Sequence, residues 1–412
     1  MQKIDFKQFE LQNGLRVIVH TDLSSPRAAM CVLYRVGARD EDPSRTGFAH
    51  LFEHLMFGGS KNIPSYDTPL QKAGGENNAY TTNDITNYYL SLPTSQLETG
   101  FWLESDRMLE LDFSQDSLNV QKSVVCEEFK QRYLNQPYGD AHLLLRPVHY
   151  QTHPYRWPTI GKELSHIQDA TLDDVREFFY GFYAPNNATL VVCGNVSPET
   201  VEQLAQKWFA PIPKRTLKKK PLPQEPPQKS PRKLTVQKDV PFDAIYKAYH
   251  IPARTNPDYF AADILTDLLS NGKSSLLFQE MVKKEKVANN IAAFSWGAYD
   301  PGMISIDGQV AQGKKTELYE ATLQKTIDNL QDISEKQLTK IKNKIESYLI
   351  FERTSMLNLA QELAIYDSLG NPNQINTILD IYQSISCDDV KQAAQKYLNP
   401  NNCSTLYYLK QQ

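Results

Sequence analysis

A short pattern that occurs twice in this 412-residue chain constrains its fold more than any other feature. Each copy reads Asp-Asp-Val, nine further residues and Pro-Asn-Asn, and the copies begin at Asp173 and Asp388. Both parts recur at the same offset of 215 positions, and each copy leads into an apolar segment, TLVVCG or TLYYL. A repeat of this length indicates two copies of one domain rather than a solenoid.

A proline-rich segment at 211–231 separates the two copies. It reads PIPKRTLKKKPLPQEPPQKSP and contains seven prolines together with several lysines and an arginine. This composition predicts a semi-extended linker whose basic residues keep it solvated. We therefore predict one domain at 1–210 and a homologous domain at 232–412.

The first domain contains an inverted zincin motif, His-x-x-Glu-His, at residues 50–54. The surrounding apolar residues recur at helical spacing, and two glycines follow where a helix is expected to end. On one helix, His50 and His54 project from the same face and Glu53 lies beside them. In such motifs the imidazoles hold a zinc ion and the glutamate acts on its bound water. A pair of structural histidines on an amphipathic helix is the alternative, so a third ligand is needed as context.

Two histidines, one carboxylate and an open position form a known catalytic zinc set. Residues 118–133, LNVQKSVVCEEFKQRY, are predicted to form a helix that could supply the carboxylate. On this helix Glu128 points toward the apolar face and Glu127 points away from it. A buried carboxylate is costly unless it is paired or metal-bound, which favours Glu128. An ordinary solvated acidic pair is the alternative. The predicted apolar face consists of Leu118, Val124, Val125 and Phe129.

The second domain lacks an equivalent metal site. With the offset of the repeat, the three motif residues correspond to positions near Leu265, Leu268 and Leu269 in the predicted helix 258–269. Leucine offers no ligand atom. We therefore predict that the second domain is non-catalytic.

On these residues the chain resembles the pitrilysin/insulinase-like zinc metallopeptidases, specifically the short two-domain class that includes the β subunit of mitochondrial processing peptidase. Members carry the His-x-x-Glu-His motif and a later glutamate on a second helix; here 73 residues separate His54 from Glu128. The segments GGENNAYTTNDITNYY, at 74–89, and HPYRWPTIG, at 153–161, are also similar to family sequences. The resemblance covers essentially the whole chain and is stronger in the first half.

The resemblance implies an α+β fold of two homologous domains, each a mainly antiparallel sheet covered by helices, which face each other as a clamshell. It also implies one zinc ion per chain. The metal ligands would be His50, His54 and Glu128, with Glu53 as general base.

A segment at 74–90 that is rich in Asn, Thr and Tyr is predicted to form a strand near the metal. In the family the matching strand is a sheet edge on which an extended peptide lies. Main-chain pairing at such an edge gives affinity without demanding one peptide sequence. We expect substrate to contact this segment, and an ordinary polar strand is the alternative. The candidate contacts are Asn78, Ala79, Tyr80 and Thr81.

Two positions in the second domain depart from the family pattern. Self-sufficient members carry an Arg in Ser-Ser-Arg-Leu and a Tyr in Leu-Ala-Tyr, which steady the substrate carbonyl. Here Leu276 stands for the Arg and Asn289 for the Tyr. Because one such donor can be worth about 2.7–4 kcal/mol in the barrier, a homodimer of this chain is predicted to be a poor peptidase. We expect a zinc-less homologous subunit that supplies the Arg and the Tyr, with a homodimer as the alternative.

The predicted function is that of a zinc metalloendopeptidase acting on short or unfolded peptides. The rival hypothesis is a catalytically silent structural or peptide-holding subunit of the same family. An intact Glu53 argues against the rival, whereas Leu276 and Asn289 favour it. A zinc hydrolase of non-peptide amides is a more distant alternative.

Composition narrows the cellular setting. The net charge of −4 gives no indication of binding to nucleic acid or to an anionic membrane. No run of eighteen apolar residues occurs, and the N-terminal sequence lacks the apolar core of a signal peptide, so a soluble chain is expected. Five cysteines without C-x-x-C spacing favour free thiols in a reducing compartment. A cytoplasmic location is expected, or a periplasmic one if an export signal has been removed.

Overall fold

The computed structural model describes residues 3–411, whose strands form two sheets. The first sheet has the strand order β1-β2-β6-β3-β5-β4. Its central strand β3 is buried along almost its whole length, as its continuous apolar sequence RAAMCVLY leads one to expect. The strands are β1 (Lys7–Glu10), β2 (Arg16–Thr21), β3 (Arg27–Tyr34), β4 (Glu76–Thr81), β5 (Thr86–Pro93) and β6 (Ala188–Gly194).

The second sheet repeats the pairing pattern of the first. Its order is β7-β11-β8-β10-β9. In each sheet one parallel pair, β2 with β6 or β7 with β11, is followed by three antiparallel pairs that end at an edge strand. The strands are β7 (Arg232–Lys238), β8 (Ala244–His250), β9 (Ala288–Trp296), β10 (Met303–Val310) and β11 (Cys403–Lys410).

Helices flank both sheets, which confirms the predicted α+β class. In the first half of the chain they are α1 (Phe48–Leu55), α2 (Asp67–Lys72), α3 (Leu97–Leu109), α4 (Gln115–Phe129), α5 (Ala141–His149), α6 (Ser165–Gln168), α7 (Leu172–Phe182) and α8 (Pro198–Trp208). In the second half they are α9 (Asp258–Ser270), α10 (Thr316–Asp328), α11 (Glu335–Glu352), α12 (Met356–Ser368), α13 (Ile378–Ser384) and α14 (Cys387–Tyr397).

The sequence repeat has the same structural role in both copies. Asp174 and Asp389 close reciprocal capping boxes at the starts of α7 and α14. The Pro-Asn-Asn that follows each helix forms a short 3-10 turn leading into β6 or β11. The second Asn of that turn donates back to the end of its helix, from Asn187 to the Phe182 carbonyl and from Asn402 to the Tyr397 carbonyl, both at 2.8 Å.

The chain divides into two compact units that do not follow the linear halves throughout. The first unit comprises the residues up to Phe129, Trp157–Leu222 and Leu349–Thr377, and the second comprises Lys130–Arg156, Pro223–Tyr348 and the residues from Ile378 onward. Each predicted domain, 1–210 or 232–412, contains the strands of one sheet, and one of the passages between the units, at Leu222–Pro223, lies within the predicted linker. The helix α5, however, packs on β8 and β11, and α12 packs on β3 and β6.

Candidate metal site

Helix α1 presents the three motif residues on one half-buried face. Its other faces are fixed in the core, where Phe48, Ala49, Leu51, Phe52 and Leu55 are buried. The apolar residues whose spacing predicted the helix are thus the residues that pack into the core. His50, Glu53 and His54 lie on the remaining side of the helix and are partly exposed to solvent.

The start of α1 is held by a buried carboxylate that the sequence analysis did not identify. Glu41 accepts backbone N–H groups from Gly47 and Ala49, each at 2.9 Å. Burial raises the pKa of Glu41 well above its ordinary value, and the two backbone hydrogen bonds oppose this rise. Gly47 has φ of +90°, and a Cβ atom there would lie 2.7 Å from the Ile160 carbonyl oxygen. Glycine is therefore required at this helix start.

Helix α4 supplies the third candidate ligand. Val125 and Phe129 are buried on it, Glu128 is half-buried and Glu127 is exposed, as predicted for the two carboxylates. The prediction was wrong for Val124, which is 44% exposed, because the buried face is centred further round the helix. The helix also ends at Phe129 instead of continuing to residue 133, and a π-helical turn follows at Lys130–Leu134.

The three predicted ligands come together. The carboxylate oxygen Oε2 of Glu128 lies 3.6 Å from Nε2 of His50 and 3.5 Å from Nε2 of His54. The two rings are nearly perpendicular, at 87°, with centroids 4.9 Å apart. One potential ligand atom from each of the three residues lies within 4.8 Å of the others, and no second group of this kind occurs among residues 3–411.

This spacing fits a zinc ion. Zinc bonds to nitrogen and carboxylate oxygen of about 2.0–2.2 Å, at tetrahedral angles, separate neighbouring ligand atoms by roughly 3.3–3.6 Å. The separations of 3.5 and 3.6 Å between the Glu128 oxygen and the two imidazole nitrogens match that range. The donor set, two imidazoles and one carboxylate, is also one that leaves a fourth position open in catalytic zinc sites.

Glu53 lies beside the cluster and is tied to the neighbouring sheet. The hydroxyl of Thr81, at the end of β4, donates a hydrogen bond of 2.6 Å to Oε2 of Glu53. The charge of Glu53 also contributes to the raised pKa of the Tyr89 phenol, after the larger contributions of burial and Cys31.

The predicted edge strand is present. β4 pairs with β5 on one side only, and it is the last strand of its sheet among the described residues. Asn78 is exposed, Ala79 is buried, and Tyr80 and Thr81 are half-buried. The Asn78 side chain accepts from the Ala79 N–H at 2.8 Å. The four positions therefore form an edge segment next to Glu53, and their contact with substrate stays a prediction.

A buried charged network supports α1 from the side of the sheet, and sequence reasoning missed it. The guanidinium of Arg107 lies 4.4 Å from the ring centroid of Tyr66 and 4.5 Å from that of Tyr88. Its Nε donates to Glu104 at 2.9 Å. The Tyr88 hydroxyl in turn donates to the Phe52 carbonyl in α1, at 3.3 Å. This contact links the network to the helix that carries the motif.

The second unit has apolar residues at the positions that correspond to the ligands. Leu265, Leu268 and Leu269 are buried within α9. Leu276 is half-buried, and Asn289 is exposed near the start of β9, where its amide nitrogen lies 3.4 Å from the Val310 carbonyl oxygen. Neither side chain resembles the Arg or Tyr that the family resemblance led one to look for.

The chain is similar to known peptidases, among them a protein named as a zinc protease, which agrees with a site whose residues fit a zinc ion. Two sequence models of one family match most of the chain: "Insulinase (Peptidase family M16)" at residues 16–156 and "Peptidase M16 inactive domain" at residues 169–345. Zinc protease PqqE of Helicobacter pylori is 28% identical over 405 residues, which cover 96% of this chain and 91% of that protein. The probable β subunit of mitochondrial processing peptidase from Arabidopsis thaliana is 20% identical over 407 residues, covering 94% and 75%.

The fold agrees as well. The crystal structure of a protease from Helicobacter pylori superposes with a TM-score of 0.92 at 28% identity, covering 99% of this chain and all of that chain. Among the helices of residues 3–411, none combines the length and the apolar character needed to cross a bilayer.

Proposed function

The chain belongs to peptidase family M16, the insulinase-like zinc peptidases, and we propose that it is a zinc metalloendopeptidase. The observation that carries the proposal is the convergence of His50, His54 and Glu128, with a second carboxylate, Glu53, beside them. A silent subunit has no need of Glu53.

In the proposed mechanism, His50, His54 and Glu128 hold the metal. When bound, a zinc ion lowers the pKa of a coordinated water toward neutrality and polarises the scissile carbonyl. Glu53 accepts the proton of the attacking water at its carboxylate and then passes it to the nitrogen of the leaving amine. Glu53 is next to His54 in α1 and is half-buried, as both imidazoles are.

The edge of β4 is the proposed substrate-binding element. An extended peptide that pairs with Asn78, Ala79, Tyr80 and Thr81 would be held through its main chain, so affinity would depend little on its sequence. Only an extended segment can pair with a strand edge. We therefore expect short or unfolded peptides as substrates rather than folded proteins.

We further propose that this chain is the zinc-bearing half of a heterodimer. Leu276 and Asn289 cannot donate hydrogen bonds as Arg and Tyr do: leucine has no donor, and the asparagine side chain is shorter than that of tyrosine. A zinc-less homologous subunit would supply those groups. A homodimer is the alternative partner. The same two residues favour the second candidate function, a silent peptide-holding subunit.

Digestion of a quenched fluorescent peptide library tests these proposals. The purified chain is assayed alone and after mixing with a zinc-less relative from the same genome, with zinc per chain determined in each sample. Cleavage only in the mixture supports the heterodimer. Cleavage by the chain alone contradicts the need for a partner. Absence of cleavage in both, at one zinc per chain, contradicts the peptidase proposal and favours the silent subunit.

A further inference from the structure

We infer that the Thr81 side chain is a positioning group for Glu53 and does not itself contact the substrate. The inference rests on the proposed function, because it gives one of the four edge-strand residues a different task. It starts from the hydrogen bond of 2.6 Å between Thr81 Oγ1 and Glu53 Oε2.

The direction of this hydrogen bond follows from the chemistry of its partners. An ionised carboxylate can only accept, so the threonine hydroxyl must donate its single proton to Glu53. That proton is then unavailable to a peptide carbonyl. Hydrogen bonds to a charged group are among the stronger ones in proteins, which makes the contact a suitable restraint on the carboxylate.

The backbone on both sides of the contact is fixed. Thr81 is the last residue of β4 and pairs with Thr86 across the hairpin. The turn that follows is closed by the Thr82 N–H, which donates to the Ile85 carbonyl at 2.8 Å. Glu53 lies on α1 between the buried Phe52 and Leu55. Because neither backbone is free to shift, the hydrogen bond fixes the orientation of the carboxylate itself.

Strand geometry separates Thr81 from its neighbours. Successive side chains of a strand point to opposite faces, so Ala79 and Thr81 share the face toward α1, and Asn78 and Tyr80 point the other way. The burial of Ala79 agrees with this assignment. The main chain of β4 remains available to a peptide at the free edge. The Thr81 side chain instead holds one carboxylate oxygen, so that the carboxylate plane is set for proton transfer.

The test compares Thr81→Val, which keeps the shape and removes the donor, with Thr81→Ser, which keeps the donor. The variants are assayed in whichever preparation cleaves the peptide library, the chain alone or its mixture with a zinc-less relative. There we expect Thr81→Val to lower kcat and kcat/KM together by roughly 10- to 100-fold, with KM and zinc content unchanged. Thr81→Ser should recover most of that loss. The matched control is Thr94→Val, which removes a hydroxyl bonded to the Pro26 carbonyl at 3.0 Å, away from Glu53, and should leave the kinetics unchanged.

A binding measurement that does not depend on turnover accompanies the kinetics. Affinity for an intact labelled peptide is measured by fluorescence anisotropy in the Glu53→Gln background, with and without Thr81→Val. A positioning role predicts equal affinities.

Three results would overturn the inference while leaving the proposed function intact: unchanged kcat in Thr81→Val, a raised KM together with weaker peptide binding, or failure of Thr81→Ser to restore activity. If the wild-type chain cleaves no peptide in any mixture, the proposed function fails and this inference fails with it.

Discussion

Two adjacent carboxylates on α4 offer a matched pair for testing the ligand assignment. Glu128 faces both imidazoles, whereas Glu127 is exposed. We expect Glu128→Gln to weaken zinc binding by more than roughly 100-fold, because loss of an outer-sphere partner alone costs 10- to 100-fold. Glu127→Gln should leave affinity unchanged. Competition with a chromophoric chelator measures both, and equal affinities in the two variants would contradict the assignment.

A stacked pair of histidines, the buried His149 and the half-buried His250, makes stability depend on pH. The rings of His149 and His250 lie 3.6 Å apart between centroids. The pKa of His250 is lowered to about 4, chiefly by burial; the charge of Glu225 opposes this fall and that of Arg232 adds to it. Burial, and then His250, lowers the pKa of His149 well below its ordinary value.

Both folded-state pKa values therefore lie below the unfolded value of about 6.5, so these two histidines bind more protons in the unfolded chain between pH 6.5 and 4. Their contribution to the free energy of unfolding should be fully present above pH 6.5 and should be lost as the pH is lowered toward 4, by roughly 3 kcal/mol for His250 alone. Urea unfolding at a series of pH values measures it. His250→Phe should flatten the profile; an unchanged slope in that variant would contradict the explanation.

We expect the start of helix α1 to depend on Glu41. Removing this side chain in Glu41→Ala leaves the N–H groups of Gly47 and Ala49 buried without their acceptor. Buried unsatisfied groups cost about 1–3 kcal/mol each, so we expect a clear loss of unfolding free energy. Denaturant unfolding measures it, with the exposed Glu127→Ala as control. Equal stability of the two variants would show that the helix start does not need this cap.

Helices, strands and the positions of short motifs on them could be predicted from the sequence, because they depend on residues close together along the chain. The motif helix, the inward Glu128 and the strand β4 belong to this class, whereas the position of β4 at a sheet edge was expected only from the family resemblance. Val124 was wrongly assigned to the buried face of α4, because an apolar residue can also lie on the exposed side of a helix. Glu41, Arg107 and the contact between Thr81 and Glu53 could not be predicted, because each depends on groups that the fold brings together across the chain.

Helix α12, from the second half of the chain, packs against the first sheet. The buried carboxylate of Asp367, in α12, accepts from Arg35 at 2.7 Å and from Thr189 at 2.6 Å, and it also pairs with Arg16. The repeat predicted two linear halves, but it carries no information about which sheet each helix covers.

We expect Asp367→Ala to lower the unfolding free energy by about 3–5 kcal/mol, because two arginines lose a buried partner. Thermal or denaturant unfolding measures the change. Asp388→Ala, at an exposed carboxylate, is the control and should have little effect. A loss below about 1 kcal/mol in Asp367→Ala would mean that α12 does not depend on this anchor.

If one site on this chain both holds zinc and hydrolyses peptides, Glu53→Gln should separate the two properties. Zinc per chain and peptide cleavage are measured on the same preparation of wild type and variant, with the partner subunit present. We expect one zinc per chain in both proteins and a cleavage rate at least 1,000-fold lower in the variant, roughly the scale of proton-transfer catalysis. Cleavage by Glu53→Gln at the wild-type rate would contradict it.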